Sequence, residues 1–136
     1  MTQEDKELLL KDLCARLPYG VKVDSVFINP DTKEHKSCGI EVFNATSILM
    51  IRDGLGEFTP YLFPISSMTE EQLKDVKASL HQELIDIYEN GSEERKVPEY
   101  PQTWYYVQDW YNAHHFDYRG LIEKGLAINA TGLNIY

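Results

Sequence analysis

From Trp104 to Arg119 the chain reads Trp-Tyr-Tyr-Val-Gln-Asp-Trp-Tyr-Asn-Ala-His-His-Phe-Asp-Tyr-Arg. These sixteen residues hold both tryptophans, four of the nine tyrosines and the only adjacent histidine pair. Aromatic side chains combine large apolar area with a polar tip, so such a run is either the anchor of a small core or a recognition surface. Spacing leaves both open. On a helix, positions 104, 107, 111 and 114–115 share one face, whereas Tyr105, Tyr106 and Trp110 fall off that stripe. Those three are the candidate binding anchors.

The chain has 136 residues, the size of one domain, and the expectation is a single domain over 1–136. Its 43% hydrophobic and 12% aromatic content fits a globular protein. The net charge of −9 repels phosphate backbones and anionic lipid, which disfavours direct nucleic-acid or membrane binding. No apolar run approaches the roughly 18 residues of a membrane span, and the polar start Met1-Thr-Gln-Glu-Asp-Lys lacks the pattern of a secretory signal. The expected location is cytoplasmic. Cys14 and Cys38 lack the spacing of a zinc or redox motif and are expected to be buried free thiols.

Hydrophobic periodicity predicts a helix over 2–17, capped by Thr2, with Leu9, Leu10, Leu13, Cys14 and Leu17 on its apolar face. Strands are expected at 21–28, 38–43 and 47–52, with a turn at Asn29–Lys33. Gly39 within the second marks a bulge or close packing. Two prolines demote 58–64 to an edge strand or extended loop. Thr69 and Gln72 form a capping box at the head of a helix over 69–89, whose stripe is Leu73, Val76, Leu80, Leu84, Ile87 and Tyr88. An exposed linker is expected at about 90–101, then a helix from about 102 to 114, a short one from Asp117 to Lys124 stopped by Gly125, and an extended tail. The fold class is α+β: a small, mainly antiparallel sheet of about three to four strands from residues 21–63, packed against three to four helices.

His114, His115 and Asp117 invite a metal or acid–base reading. Adjacent helical histidines point about 100° apart and rarely share a metal, so no metal or other cofactor is expected. The plainer reading has one histidine at the helix C-terminus and the other packed or solvated. The acids from Glu83 to Glu99 read as a solvated charge run, and no serine elbow or phosphate-binding glycine motif is present.

Three blocks, Lys11-Asp-Leu-Cys-Ala-Arg-Leu-Pro-Tyr-Gly-Val-Lys-Val23, Tyr61-Leu-Phe-Pro-Ile-Ser-Ser-Met68 and Asp109-Trp-Tyr-Asn-Ala-His-His-Phe-Asp-Tyr-Arg-Gly-Leu-Ile-Glu-Lys-Gly-Leu-Ala127, together resemble a family of small proteins of gut bacteria and their prophage-like elements. That resemblance carries no activity and no catalytic residue. It implies a cytoplasmic protein from a mobile-element context.

The leading functional expectation is a non-catalytic protein-interaction module, an accessory protein of a mobile element, with Trp110, Tyr106 and Tyr105 as anchors. A protein partner is expected, and a homodimer is compatible with the sequence. The alternatives are an acidic mimic of nucleic acid that blocks a host or defence DNA-binding protein, and a small hydrolase using His114 or His115 with Asp117.

Overall fold

A computed structural model of the chain describes residues 1–78 and 105–136. Helix α1 (Gln3–Arg16) starts at Thr2, whose hydroxyl accepts the Asp5 N–H at 3.1 Å while the Asp5 carboxylate accepts the Thr2 N–H at 3.2 Å. The inward face differs from the expected one. Asp12, Leu13 and Arg16 are buried, Leu8, Leu9 and Leu17 pack beside them, and Cys14 is exposed. Asp12 and Arg16, one turn apart, neutralise each other and so can take core positions that apolar periodicity alone gives to Leu10 and Cys14. Cys38 is also exposed, so neither thiol is buried as the sequence suggested.

Strands β1 (Lys22–Ile28) and β2 (His35–Val42) form an antiparallel hairpin. Asn29 shapes its turn: its side-chain oxygen accepts the N–H groups of Asp31 and Thr32 at 2.9 and 3.1 Å. The register slips between Ser25 and Val26, leaving Cys38 as an extra residue beside Gly39, whose φ is +79°. The expected bulge is therefore present, and glycine supplies its left-handed backbone.

Residues 45–52 are helical, not a third strand. Helix α2 (Ala45–Arg52) is capped by Asn44, whose side chain accepts the Ser47 N–H at 3.2 Å while the Ser47 hydroxyl accepts the Asn44 N–H at 3.2 Å. That reciprocal cap outweighs the strand preference of the apolar run.

Strand β3 (Gly56–Pro64) is central, not an edge. It pairs antiparallel with β1 from Gly56 to Pro60. The Ile28 N–H to Leu55 C=O bond at 2.8 Å sets the alternation, which places the Val23–Pro60 pair at a non-hydrogen-bonded position. Pro60 therefore lacks no ladder bond to β1, and on the strand's other edge pairing begins only at Tyr61.

A capping box opens helix α3 (helical over 70–78): the Gln72 N–H donates to the Thr69 hydroxyl at 3.2 Å and the Gln72 side-chain oxygen Oε1 accepts the Thr69 N–H at 2.9 Å. The rest of its expected stripe, from Leu80 onward, and the linker at 90–101 lie outside the described residues. Helix α4 (Tyr105–Ala113) leads into β4 (Phe116–Asp117), and β5 (Ile128–Asn129) follows. Both pair parallel with the C-terminal half of β3, completing a five-stranded sheet ordered β2-β1-β3-β4 with β5 also on β3. The fold is α+β with a small sheet, antiparallel in its long strands. Between β4 and β5 the expected helix is only a run of turns, ended by Gly125 at φ +73°.

Leu13, Val21, Val23, Phe43, Phe58, Leu62, Leu121 and Leu126 form the main core, with Ile48, Met50 and Ile51 of α2 packed on it. A second cluster joins Val76, Val107, Trp110 and Phe116.

Candidate functional site

The charged chemistry of the aromatic segment turns inward. One Asp12 carboxylate accepts Arg16 Nε at 2.8 Å, Arg16 Nη2 at 3.1 Å and Arg119 Nη1 at 3.0 Å. Arg16 Nη2 also donates to the Phe116 carbonyl at 2.7 Å, so α1 is fastened to β4 across one hundred positions. Both guanidinium groups lie against the Tyr118 ring, at 5.5 Å for Arg16 and 4.6 Å for Arg119. Asp12 and Arg16 have no exposed surface. Burial on that scale is tolerable only with pairing, and the geometry supplies it.

His114 and His115 do not converge. His114 stacks on Trp110 with ring centres 4.0 Å apart, and its Nδ1 lies 2.9 Å from the Trp110 carbonyl. His115 adopts φ +64° and stacks on Tyr136 at 3.7 Å. Burial, then the positive charges of Arg16, His114 and Lys22, push its pKa down to about 4. The imidazole is neutral at pH 7 and a weak proton acceptor there. Asp117 accepts the Leu121 and Ile122 N–H groups, each at 2.9 Å, so both carboxylate oxygens hold backbone. It holds a turn where the sequence suggested a short helix from Asp117 to Lys124. The pairing of histidine with Asp117 that the hydrolase reading needs is not formed. Among the described residues no group of three His, Cys, Asp or Glu side chains gathers in a way that would hold a metal ion.

Trp110 was expected to offer its indole to a partner. It is 9% exposed and packs against Val107, Phe116 and His114, because the helix turns it toward α3 and β4. It belongs to the core. Tyr105 and Tyr106 lie at the first turn of α4, with side chains outside the described set.

The largest unpartnered element is β2. It is the outermost strand of the order; every residue but Gly39 is exposed, and among the described residues no strand pairs with its far side, where the Val42 carbonyl accepts Asn44 Nδ2 at 3.3 Å. Two bonds fix which groups face outward: Phe43 N–H to Val21 C=O and Asn29 N–H to Glu34 C=O, both 2.9 Å. By the alternation of an antiparallel ladder, Lys36, Gly39 and Glu41 direct their backbone groups to β1. His35, Ser37, Ile40 and Val42 direct theirs outward. Ile40 and Val42, opposite Asp24 and Lys22 on the sheet face away from the main core, are 55% and 49% exposed. Sequence reading found this strand but not its outer place, since strand order depends on where β3 docks.

Exposed acids among the described residues are spread over α1, β2, β3 and α3, interleaved with Lys6, Lys11, Lys36, Lys74 and Lys77. Among the described residues no helix is long and apolar enough to cross a membrane. Comparison with protein-family models, with curated proteins and with solved structures gives no match to this chain.

Proposed function

We propose that this chain is a non-catalytic, cytoplasmic protein-interaction module that binds by strand addition at β2. One observation carries the reading: an outermost strand of eight residues turns the backbone groups of His35, Ser37, Ile40 and Val42 outward, with, among the described residues, only the Val42 carbonyl engaged, by Asn44, and with Ile40 and Val42 half-exposed beside them. Such an edge is a template for another strand, its hydrogen bonds supplying affinity and alternate side chains supplying specificity. Two buried carboxylates among the described residues are committed to structure, Asp117 to backbone and Asp12 to two arginines. An accessory role in a mobile element draws on the resemblance in residues 11–23, 61–68 and 109–127 alone.

The test is Val42→Pro. The Val42 N–H points outward, so proline removes a free donor without breaking a bond to β1, and the extended Glu41 before it suits a proline neighbour. The variant should melt like the wild type and lose the proteins that wild type captures from its native cell. Undiminished capture by a folded Val42→Pro chain would end the reading.

A further inference from the structure

We propose that the partner strand at this edge is β2 of a second copy, paired antiparallel about a twofold axis between Cys38 and Gly39. This rests on the edge-binding reading above and names its occupant.

The register follows from three observations. First, setting His35 against Val42 of the second copy brings the strands into full overlap. It also sets Ser37 against Ile40, so the outward-facing backbone groups meet one another as narrow, doubly bonded pairs. Second, the same register sets Lys36 against Glu41 of the second copy, and by symmetry Glu41 against Lys36. These fall at the wide positions, where opposed side chains come closest. Neither Lys36 nor Glu41 has an ion-pair partner within its own chain among the described residues. Third, in a regular strand residues five apart point to opposite faces and could not oppose one another. The bulge at Cys38 puts Lys36 (opposite Phe27) and Glu41 (opposite Val23) on the same face. Shifting by two residues one way opposes Glu34 to Glu41; shifting the other way opposes Lys36 to Phe43. Only the full-overlap register is self-complementary in charge, as an isologous interface requires. An edge-to-edge contact falls in the small interface class, below about 1,200 Å², so association depends on concentration.

Sedimentation of the purified chain from micromolar levels to about 1 mM should show a monomer–dimer equilibrium. Lys36→Glu and Glu41→Lys each create two like-charge contacts across the axis and should weaken dimerisation about 10-fold. The double reversal Lys36→Glu/Glu41→Lys should restore it, a rescue that an intrachain role of either residue would not give. In a Cys14→Ser background, a short bismaleimide should link Cys38 to Cys38 of the second copy in the wild-type dimer and fail with Val42→Pro. A chain that sediments as a monomer throughout, or a dimer indifferent to the single reversals, overturns the proposal. If a monomeric chain still captures another protein through β2, the edge-binding reading stands and only the identity of its occupant falls.

Discussion

Arg16 has no exposed surface, yet one of its terminal nitrogens, Nη1, has no hydrogen-bond partner. Among the described residues three other buried polar atoms share that condition: the side-chain oxygen of Asn112, Nδ1 of His115 and the Tyr118 hydroxyl. Stability at this locus therefore depends on the bonds that are made, chiefly those around Asp12. Removing one partner of a buried pair strands the other charge, at a cost of about 3–5 kcal/mol. Arg16→Met should lower stability by that amount in urea titration, even though Arg119 continues to contact Asp12. Adding Asp12→Asn should recover a large part, because the buried carboxylate left with Arg119 as its one cationic partner is gone. A double variant as unstable as the single would assign the loss to packing of the long Arg16 stem.

Elements in this chain were legible where a local signal decided them. The cap at Thr2, the capping box at Thr69, the Asn29 turn and the Gly39 bulge all act within a few residues, and each is where the sequence put it. Helix α2 had such a signal too, Asn44 three residues before Ser47, but the run Ile48 to Ile51 carries strand preference and masked it. Strand β3 reads as an edge because proline lacks a donor. Only the pairing alternation, set by the whole hairpin, reveals that Pro60 occupies a position with no bond to lose. The Asp12–Arg16 pair was invisible for a different reason: charges one turn apart on a helix look like a solvated face, and their burial depends on Phe116 and Arg119, 100 and 107 positions along from the residues they bond. The candidate edge was legible as a strand and illegible as an edge. If the cap decides α2, Asn44→Ala should cost about 0.5–2 kcal/mol in a thermal melt, and Asn44→Asp, which preserves the acceptor, should cost less. Equal losses would mean that packing of Ile48 and Ile51 on the core holds the helix without its cap.

At the scale of the molecule, the C-terminal residues act as a clasp. The Tyr136 hydroxyl accepts the Lys22 N–H at 2.8 Å and donates to the Tyr61 carbonyl at 2.8 Å, while Lys22 Nζ donates to the Ile135 carbonyl at 2.6 Å. Burial pushes the Tyr136 phenol up to about 12, so it keeps its proton throughout the physiological range. Its ring covers His115, whose pKa in the folded chain is about 4 against an ordinary value of 6.5. Below the ordinary value the unfolded chain takes up a proton that folded His115 refuses. Its contribution to stability is thus complete above about pH 6.5 and is lost as pH falls toward about 4. His115→Asn, which tolerates the positive φ, should flatten the fall in denaturation midpoint between about pH 7 and about pH 5. An unchanged slope would assign that fall to other groups.

The tie between Arg16 and the Phe116 carbonyl, and the clasp of Tyr136 on Lys22, also set an order of events during synthesis. A ribosome releases Arg16 long before it releases residues 116–136, so helix α1 leaves the exit tunnel with its inward arginine bonded only to Asp12. Contacts of such long sequence separation close slowly, and α1 cannot settle until residues 116–136 have emerged. In the interval the nascent chain exposes Leu13 and its neighbours to whatever chaperone waits at the tunnel mouth.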